Sequence, residues 1–251
     1  MTSKVIILGL DGLDPKFIVR GVNNKALPTL TRLMEIGCFG RLKSTIPPIT
    51  IPAWPAMLTG KTPGKLGVFD FRRRTGAQEF KYVTSQMFKG QMLWDIVSDN
   101  GLKVGIIEFP VTVPWKINGF MISGLVPKKL KQIYPPQLQD EVGTILNAMP
   151  KTFVEISHAG ISDEKKRESI KDNTEIKFAL LRELATRKQW DLLISVVFAA
   201  DEIMHHTIEE KDLHSIYQKL DEEIASILDY CIANRCYLFI VSDHGCKKFE
   251  R

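Results

Sequence analysis

Three aspartates in this chain each follow an apolar run, and two of them have a histidine close by. Asp11 follows VIILGL, Asp201 follows LLISVVFAA, and Asp243 follows YLFIVS. His205 comes four residues after Asp201, and His244 comes directly after Asp243. Carboxylate oxygen together with imidazole nitrogen suits zinc, manganese or iron, so the two Asp–His pairs predict a two-metal site.

Each aspartate taken alone also has an ordinary structural interpretation. Asp11 could belong to a turn, Asp201 could cap a helix, and Asp243 could begin a loop. The spacing of Asp201 and His205 favours a site, because residues four apart lie on one face of a helix. The remaining histidines are assigned no ligand role: we interpret His206 and His214 as supporting or surface residues, and nothing pairs with His158.

The stretch TIPPITIPAWPAMLTG, residues 45–60, supplies hydroxyl groups near a predicted helix start. Thr50 precedes a proline and a helical run, which predicts Thr50 as the N-cap of that helix. A helix N-terminus has free N–H groups and a partial positive charge, so it suits a bound phosphate and lowers the cost of an alkoxide. A threonine cap is also ordinary, and the residues alone leave Thr45, Thr59 and Thr62 open as alternatives.

The residues LTGKT at 58–62 contain the GK[ST] sequence of a nucleoside-triphosphate-binding loop. That motif needs a glycine five positions before Gly60, where this chain has Pro55. It also needs a strand directly before the loop, whereas a helical run precedes it here. We therefore exclude a P-loop nucleotide site.

The elements that must position these side chains are apolar runs separated by helical patterns. Uniformly apolar runs are typical of parallel strands covered on both faces, and their alternation with helices predicts an α/β fold with a largely parallel central sheet. In such a sheet ligands bind outside the carboxyl ends of the strands, where the three aspartates lie. The predicted strands are 4–10, 103–109, 120–125, 191–198 and 236–242, and the predicted helices are 28–36, 52–59, 91–100, 163–188 and 210–234.

The length and organisation of the chain predict a single domain over residues 1–251. There is no internal repeat, low-complexity tract or clear linker. The stretch from about 110 to 160 is less regular and contains several prolines, which predicts an insertion that caps the sheet edge.

The composition excludes several classes of protein. Hydrophobic residues make up 44% and charged residues 25%, as in a folded globular domain, and the net charge of +5 is scattered along the chain. This mild bias favours anionic partners but is no nucleic-acid signature. The four cysteines lack CxxC spacing, which favours a reducing compartment, the cytoplasm. No apolar run reaches the roughly 20 residues of a membrane span.

Together these motifs resemble the type I phosphodiesterase and nucleotide pyrophosphatase family of the alkaline phosphatase superfamily. Each motif is weak alone, but the four occur in the family's order, and the resemblance runs from residue 4 to the last residues. It implies an alkaline phosphatase-like fold. The motifs are a strand into Asp11-Gly12, Thr50 in ITIPAWPAMLTG, Asp201 and His205 in DEIMH, and the DHG sequence at 243–245.

The resemblance also implies a chemistry, the hydrolysis of small phosphate esters or diesters with two divalent metal ions, usually zinc, with manganese as the alternative. Thr50 would attack phosphorus to give a covalent phosphothreonine, which a hydroxide then hydrolyses from the opposite side. The resemblance implies no particular substrate-binding residue or oligomeric state. One ion would be held by Asp11, Asp243, His244 and the Thr50 oxygen, and Asp201 and His205 would contribute to the second.

This sequence departs from the family pattern in two places. The family's second metal site has a further histidine well after DHG, whereas this chain ends at Arg251, so we expect an N-terminal portion of a longer enzyme or a shortened relative. Nucleotide-cleaving members have an asparagine downstream of the threonine, where this chain has Asp70-Phe71. Lys43, Lys61 or the arginines at 72–74 are alternative phosphate contacts.

Two alternatives to a hydrolase stay open. Cofactor-independent phosphoglycerate mutases of the superfamily transfer phosphate between hydroxyls, but they use serine where this chain has Thr50. The incomplete second metal site also permits an inactive domain that binds a metal or phosphate.

Overall fold

The computed structural model describes residues 3–125, 132–149, 162–206 and 209–245. Its strands are β1 (Val5–Leu10), β2 (Arg72–Arg74), β3 (Phe80–Tyr82), β4 (Val104–Pro110), β5 (Gly119–Gly124), β6 (Ile133–Tyr134), β7 (Leu192–Val197) and β8 (Tyr237–Val241). Its α-helices are α1 (Pro15–Asn23), α2 (Pro28–Ile36), α3 (Thr50–Thr59), α4 (Pro63–Leu66), α5 (Leu93–Asp99), α6 (Leu138–Asn147), α7 (Asp163–Arg187), α8 (Ala199–His206) and α9 (Glu210–Asn234), with a 3₁₀ turn at Ser85–Phe88.

The described residues form a six-stranded central sheet in the order β6-β5-β4-β7-β1-β8. Only the short β6 is antiparallel to its neighbour within this sheet, and the other pairs are parallel. A separate hairpin pairs β2 with β3. This architecture confirms the predicted α/β class with a largely parallel sheet.

The sheet is covered on both faces because successive side chains of each strand point in opposite directions. On β1, Ile6, Leu8 and Leu10 are buried against one layer, which includes the long helices α7 and α9. Val5 and Ile7 contact the opposite layer, which includes α3 and α5. The uniformly apolar sequence of β1 is therefore explained by burial on both sides.

The five strands and five helices expected from the sequence all occur, with small shifts at their ends. The largest difference that bears on the site is at α3, which begins at Thr50 and not at residue 52. Elements that the sequence pattern missed are short or amphipathic, among them α1, α6 and the hairpin of β2 and β3.

The sheet order brings three strand ends together. β1 lies between β7 and β8, with Leu10 opposite Val197 and Gly9 opposite Val241. Because all three strands run in the same direction, the residues that follow them emerge at one edge of the sheet.

Among the described residues, no helix is long and apolar enough to cross a membrane. The cytoplasmic location stays a prediction. The single-domain organisation and the cap at about 110–160 also stay predictions; this stretch supplies β5, β6 and α6, and residues 126–131 and 150–161 lie outside the described part.

Candidate active site

Three chain segments meet at the carboxyl edge of the sheet and are joined by hydrogen bonds from backbone N–H groups. The Asp11 N–H donates to Val197 O over 2.9 Å, and the Asp201 N–H donates to Asp11 O over 3.2 Å. The Gly12 N–H donates to Asp243 Oδ1 over 3.2 Å. The segments after β1, β7 and β8 are thereby fixed relative to one another before any ligand binds.

Gly12 is required by this arrangement for two reasons. Its φ of +71° lies in the left-handed region that favours glycine. A Cβ at this position would also lie 2.9 Å from the Asp201 Cα, which is too close for real atoms. Glycine thus lets the β1 end and the start of α8 approach each other closely.

Thr50 lies at the N-terminus of α3, with its hydroxyl directed at the strand ends. Thr50 Oγ1 donates to Asp11 Oδ1 over 3.4 Å and lies 3.3 Å from His244 Nε2. The prediction that Thr50 is the N-cap was wrong: Ile49 occupies the cap, and Thr50 is the first helical residue. Its side chain is therefore not used in capping and is buried beside the aspartate and histidine.

The other threonines considered from the sequence have hydroxyl partners elsewhere. Thr45 donates to Pro47 O and Thr59 to Pro55 O. Thr62 accepts from the Lys65 N–H at the start of α4. Of these four threonines, Thr50 is thus the one whose hydroxyl lies against Asp11.

Trp54 is a contact of the site that sequence reasoning missed. Its indole Nε1–H donates to Asp11 Oδ2 over 2.7 Å, and the residue is almost fully buried. Gly9 makes room for it, since a Cβ there would lie 2.5 Å from the indole ring. Two signals were available: Trp54 lies one helical turn after Thr50, and a glycine inside an apolar strand indicates close approach by another group.

The site concentrates negative charge in a buried position. Burial raises the pKa of Asp11 well above its usual value, and the Asp243 carboxylate raises it further, against the lowering effect of the Trp54 hydrogen bond. Burial also raises the pKa of Asp243, against the lowering effect of His244. Both carboxylates are therefore costly to ionise unless a positive charge lies between them.

The donor set fits a divalent cation. One ligand atom each from Asp11, Asp201 and His244 lie within 4.8 Å of one another. Asp243 Oδ2 is buried and, within the described part of the chain, accepts no hydrogen bond, although His244 Nε2 lies 3.3 Å away. A buried carboxylate oxygen without a hydrogen-bond donor indicates a place for a cation, and these oxygen and nitrogen donors suit zinc or manganese.

His205 and Asp201 form a more open part of the site. His205 Nε2 lies 3.3 Å from Asp201 Oδ2, as the spacing of four residues on α8 predicted. The His205 side chain is 70% exposed, whereas that of His244 is 13% exposed. We call Asp201 and His205 the α8 half-site, and Asp11, Thr50, Asp243 and His244 the β1–β8 half-site. His158 lies outside the described residues.

A mostly buried ion pair near α8 was also missed from the sequence. Lys177 Nζ on α7 lies 3.2 Å from Glu108 Oε2 and 4.9 Å from the centre of the Phe198 ring. Burial alone would lower the pKa of Lys177, but the carboxylates of Glu108 and Glu202 outweigh it and raise the pKa. Burial raises the pKa of Glu202, against the lowering effect of Lys177.

The cationic side chains proposed as phosphate contacts fall into two groups. Lys43 and Lys61 line a cavity of about 590 Å³ that Trp54 and Asp243 also line. The arginines of β2, Arg72–Arg74, lie on the exposed hairpin. The two lysines are thus the ones that share a cavity with a residue of the β1–β8 half-site.

Solved structures with the same fold include two proteins in complex with phosphorus-containing ligands. Phosphonoacetate hydrolase from Sinorhizobium meliloti 1021, in complex with phosphonoacetate, matches with a TM-score of 0.61 at 14% identity, over 100% of this chain and 58% of that one. Murine ectonucleotide pyrophosphatase/phosphodiesterase 5, as an inactive threonine-to-alanine variant in complex with AMP, matches with a TM-score of 0.60 at 13% identity, over 98% and 59%. This chain spans less than two thirds of either protein.

No curated protein is significantly similar to this chain in sequence. A sequence model of a protein family, described as type I phosphodiesterase / nucleotide pyrophosphatase, does match it over residues 5–251. The match spans β1, α3, α8 and β8, and so includes every residue of the two half-sites. It confirms the resemblance that the four ordered motifs indicated. The chain belongs to the type I phosphodiesterase/nucleotide pyrophosphatase family.

Proposed function

We propose that this protein is a metal-dependent phosphohydrolase of small phosphodiesters or phosphomonoesters, with Thr50 as its nucleophile. The observation that carries the proposal is the position of Thr50 Oγ1, 3.4 Å from Asp11 Oδ1 and 3.3 Å from His244 Nε2. This hydroxyl lies at the N-terminus of α3, where free N–H groups and the helix dipole favour a bound phosphate.

Two divalent cations are part of the proposal, with zinc preferred and manganese as the alternative. The β1–β8 half-site would hold one cation through Asp11, Asp243, His244 and the Thr50 oxygen. The α8 half-site would contribute Asp201 and His205 to the second. When bound, such cations stabilise negative charge on the phosphoryl oxygens and on an ionised hydroxyl.

The placement of the hydroxyl supports a covalent step as part of the proposal. Thr50 Oγ1 forms a bond to phosphorus while the bond from phosphorus to the leaving oxygen breaks, and that oxygen departs with the electron pair. Asp11 Oδ1 is the carboxylate oxygen within reach of the hydroxyl proton. Water then attacks phosphorus from the opposite side, which releases the phosphate product and restores the threonine.

The comparisons support Thr50 as the nucleophile but do not indicate a substrate. The murine relative in complex with AMP is an inactive variant in which threonine is replaced by alanine. That observation concerns the murine protein, and it agrees with a threonine nucleophile here. The phosphonoacetate complex concerns a different bond, between carbon and phosphorus, so the two relatives favour no single substrate for this chain.

Turnover of an aryl phosphodiester and an aryl phosphomonoester, in the presence of Zn²⁺ or Mn²⁺, tests the proposal. We expect Thr50→Ala to lower turnover by about 10³-fold or more, because the proposed covalent bond forms at the hydroxyl that this variant lacks. Thr50→Ser should retain part of the activity. Thr59→Ala, which removes a hydroxyl on the same helix that donates to Pro55 O, should behave like the wild type.

Three results would contradict parts of the proposal. Full activity of Thr50→Ala would exclude Thr50 as the nucleophile. Product without labelled oxygen after reaction in ¹⁸O water would indicate transfer between hydroxyls, as in a mutase. Absence of both metal binding and turnover in the wild-type chain would favour the inactive domain.

A further inference from the structure

Trp54 makes a contact with Asp11 that the proposed chemistry does not itself require. Asp11 has two carboxylate oxygens, and they have different partners. Oδ2 accepts the Trp54 indole N–H over 2.7 Å. Oδ1 accepts the Thr50 hydroxyl over 3.4 Å and lies 3.7 Å from His244 Nε2. The indole thus occupies one oxygen and leaves the other directed at the candidate nucleophile.

We propose that Trp54 is a positioning residue that fixes Asp11 as a single-oxygen ligand, with Oδ1 presented to the cation and to Thr50. This inference rests on the proposed function. An indole N–H is suited to the task because it is a donor only and neither titrates nor exchanges roles with an acceptor. Partners of this kind orient the ligands of metal sites.

The indole is held rigidly, so the orientation it imposes on Asp11 is also rigid. Trp54 is 1% exposed and packs edge-to-face on Phe109, with ring centres 6.0 Å apart. Gly9 on β1 leaves room for the ring, because any larger side chain would overlap it. Thr50 and Trp54 are separated by one turn of α3, so one rigid helix sets both the hydroxyl and the donor to its neighbouring carboxylate.

Two further tryptophans of the same core layer provide matched controls. Trp94 also packs edge-to-face on Phe109, with ring centres 5.1 Å apart, and its buried Nε1–H has no hydrogen-bond partner among the described residues. Trp115 donates its Nε1–H to Asp95 Oδ1 over 3.0 Å, a buried tryptophan–aspartate bond outside the two half-sites. Phenylalanine in place of each removes an indole N–H while keeping an aromatic ring.

The test measures the affinity of the purified chain for Zn²⁺ by competition with a chelator, together with Tm without metal. We expect Trp54→Phe to weaken the tighter Zn²⁺ site by about 10- to 100-fold, because a buried Asp11 oxygen loses its donor. Trp115→Phe should lower Tm about as much as Trp54→Phe does, and it should leave Zn²⁺ affinity unchanged. Trp94→Phe, which loses no hydrogen bond among the described residues, should lower Tm only through the smaller ring and should leave Zn²⁺ affinity unchanged.

The outcomes separate this inference from the proposed function. Equal Zn²⁺ affinity of wild type and Trp54→Phe would overturn the inference alone, as would an equal weakening by Trp54→Phe and Trp115→Phe. A wild-type chain that binds no Zn²⁺ would overturn the metal site and the inference together. If Trp54→Phe does not fold, indole ¹⁵N spectra of the wild type decide: Zn²⁺ should shift the Trp54 Nε1–H signal, and an unchanged signal would overturn the proposal. The chain has four tryptophans, so this signal is assigned by elimination with Trp94→Phe, Trp115→Phe and Trp190→Phe.

Discussion

The two half-sites differ in how the fold holds their ligands. In the β1–β8 half-site the side chains of Asp11 and Asp243 are at most 1% exposed, and each accepts a hydrogen bond from the surrounding protein. In the α8 half-site the Asp201 side chain is 23% exposed and that of His205 is 70% exposed. Asp201 and His205 contact each other within the short helix α8.

This difference follows from the topology. The β1–β8 half-site is assembled from two adjacent parallel strands and a helix, so long-range packing fixes its geometry before a ligand binds. In the α8 half-site the contact between Asp201 and His205 is set by local helix geometry, and the long-range bond from the Asp201 N–H to Asp11 O fixes only one of the two residues. We infer that the first half-site is more strongly preorganised for a cation than the second.

The largest effect is expected from Asp243→Asn. The amide keeps an oxygen to accept the Gly12 N–H, but it replaces the buried Oδ2, which accepts no hydrogen bond within the described residues, with an N–H donor that repels a cation. We expect the tighter Zn²⁺ site to weaken by about 10³-fold or more, as measured by chelator competition. Asp221→Asn is the control, because the Asp221 carboxylate caps α2 through the N–H groups of Thr29 and Leu30. Asp221→Asn should lower the stability of the protein without changing its Zn²⁺ affinity. If both variants lost Zn²⁺ affinity equally, the loss in Asp243→Asn would not indicate that Asp243 binds the cation.

The next largest effect is expected from Lys177→Met. Removing the ammonium leaves Glu108 and Glu202 without their shared counter-charge in a mostly buried place. We expect a loss of about 2–3 kcal/mol in the free energy of unfolding, measured by urea denaturation. Arg32→Met, which breaks the exposed pair with Asp229, should cost about 0.5 kcal/mol or less. Similar losses in both variants would show that the buried pair contributes no more than the exposed one.

Asp11→Asn should stabilise the metal-free protein while removing the tighter cation site. Because burial and Asp243 raise the folded-state pKa of Asp11, ionisation destabilises the folded protein at any pH above the usual carboxyl pKa. We expect a gain of about 1–2 kcal/mol at pH 7 to 8, which shrinks as the pH falls toward about 4 and wild-type Asp11 is protonated in both states. Urea denaturation across this pH range measures it. Destabilisation by Asp11→Asn at pH 8 would contradict the charge argument, and Asp229→Asn on the surface is the neutral control.

The sequence predicted the parts of the site that local patterns determine. Apolar runs ending in Asp11, Asp201 and Asp243 predicted the sheet and the edge at which these aspartates emerge, because buried parallel strands have a recognisable composition. The spacing of Asp201 and His205 predicted their contact, since helix geometry alone sets it.

The parts that were missed depend on contacts between residues far apart in the sequence. Trp54 in TIPAWP is an apolar residue of a predicted helix, and its donor role appears only when α3 crosses β1 at Gly9. Lys177 meets Glu108 because α7 packs over the end of β4, a contact without a local signal. The cap position of Thr50 was wrong by one residue, because local patterns place the end of a helix only to within one or two residues.

The smallest effect is expected from His205→Ala, which tests the open half-site directly. The side chain is largely exposed and contacts Asp201 over 3.3 Å, so its removal should change the free energy of unfolding by about 0.5 kcal/mol or less. In this chain its loss should weaken only the weaker Zn²⁺ site, by about tenfold. His244→Ala should weaken the tighter site by about 100-fold or more, because that imidazole lies between Asp11, Asp243 and Thr50. Titration of both variants with Zn²⁺ measures the affinity of each site. Equal losses of Zn²⁺ affinity in the two variants would mean that the α8 half-site is as preorganised as the β1–β8 half-site.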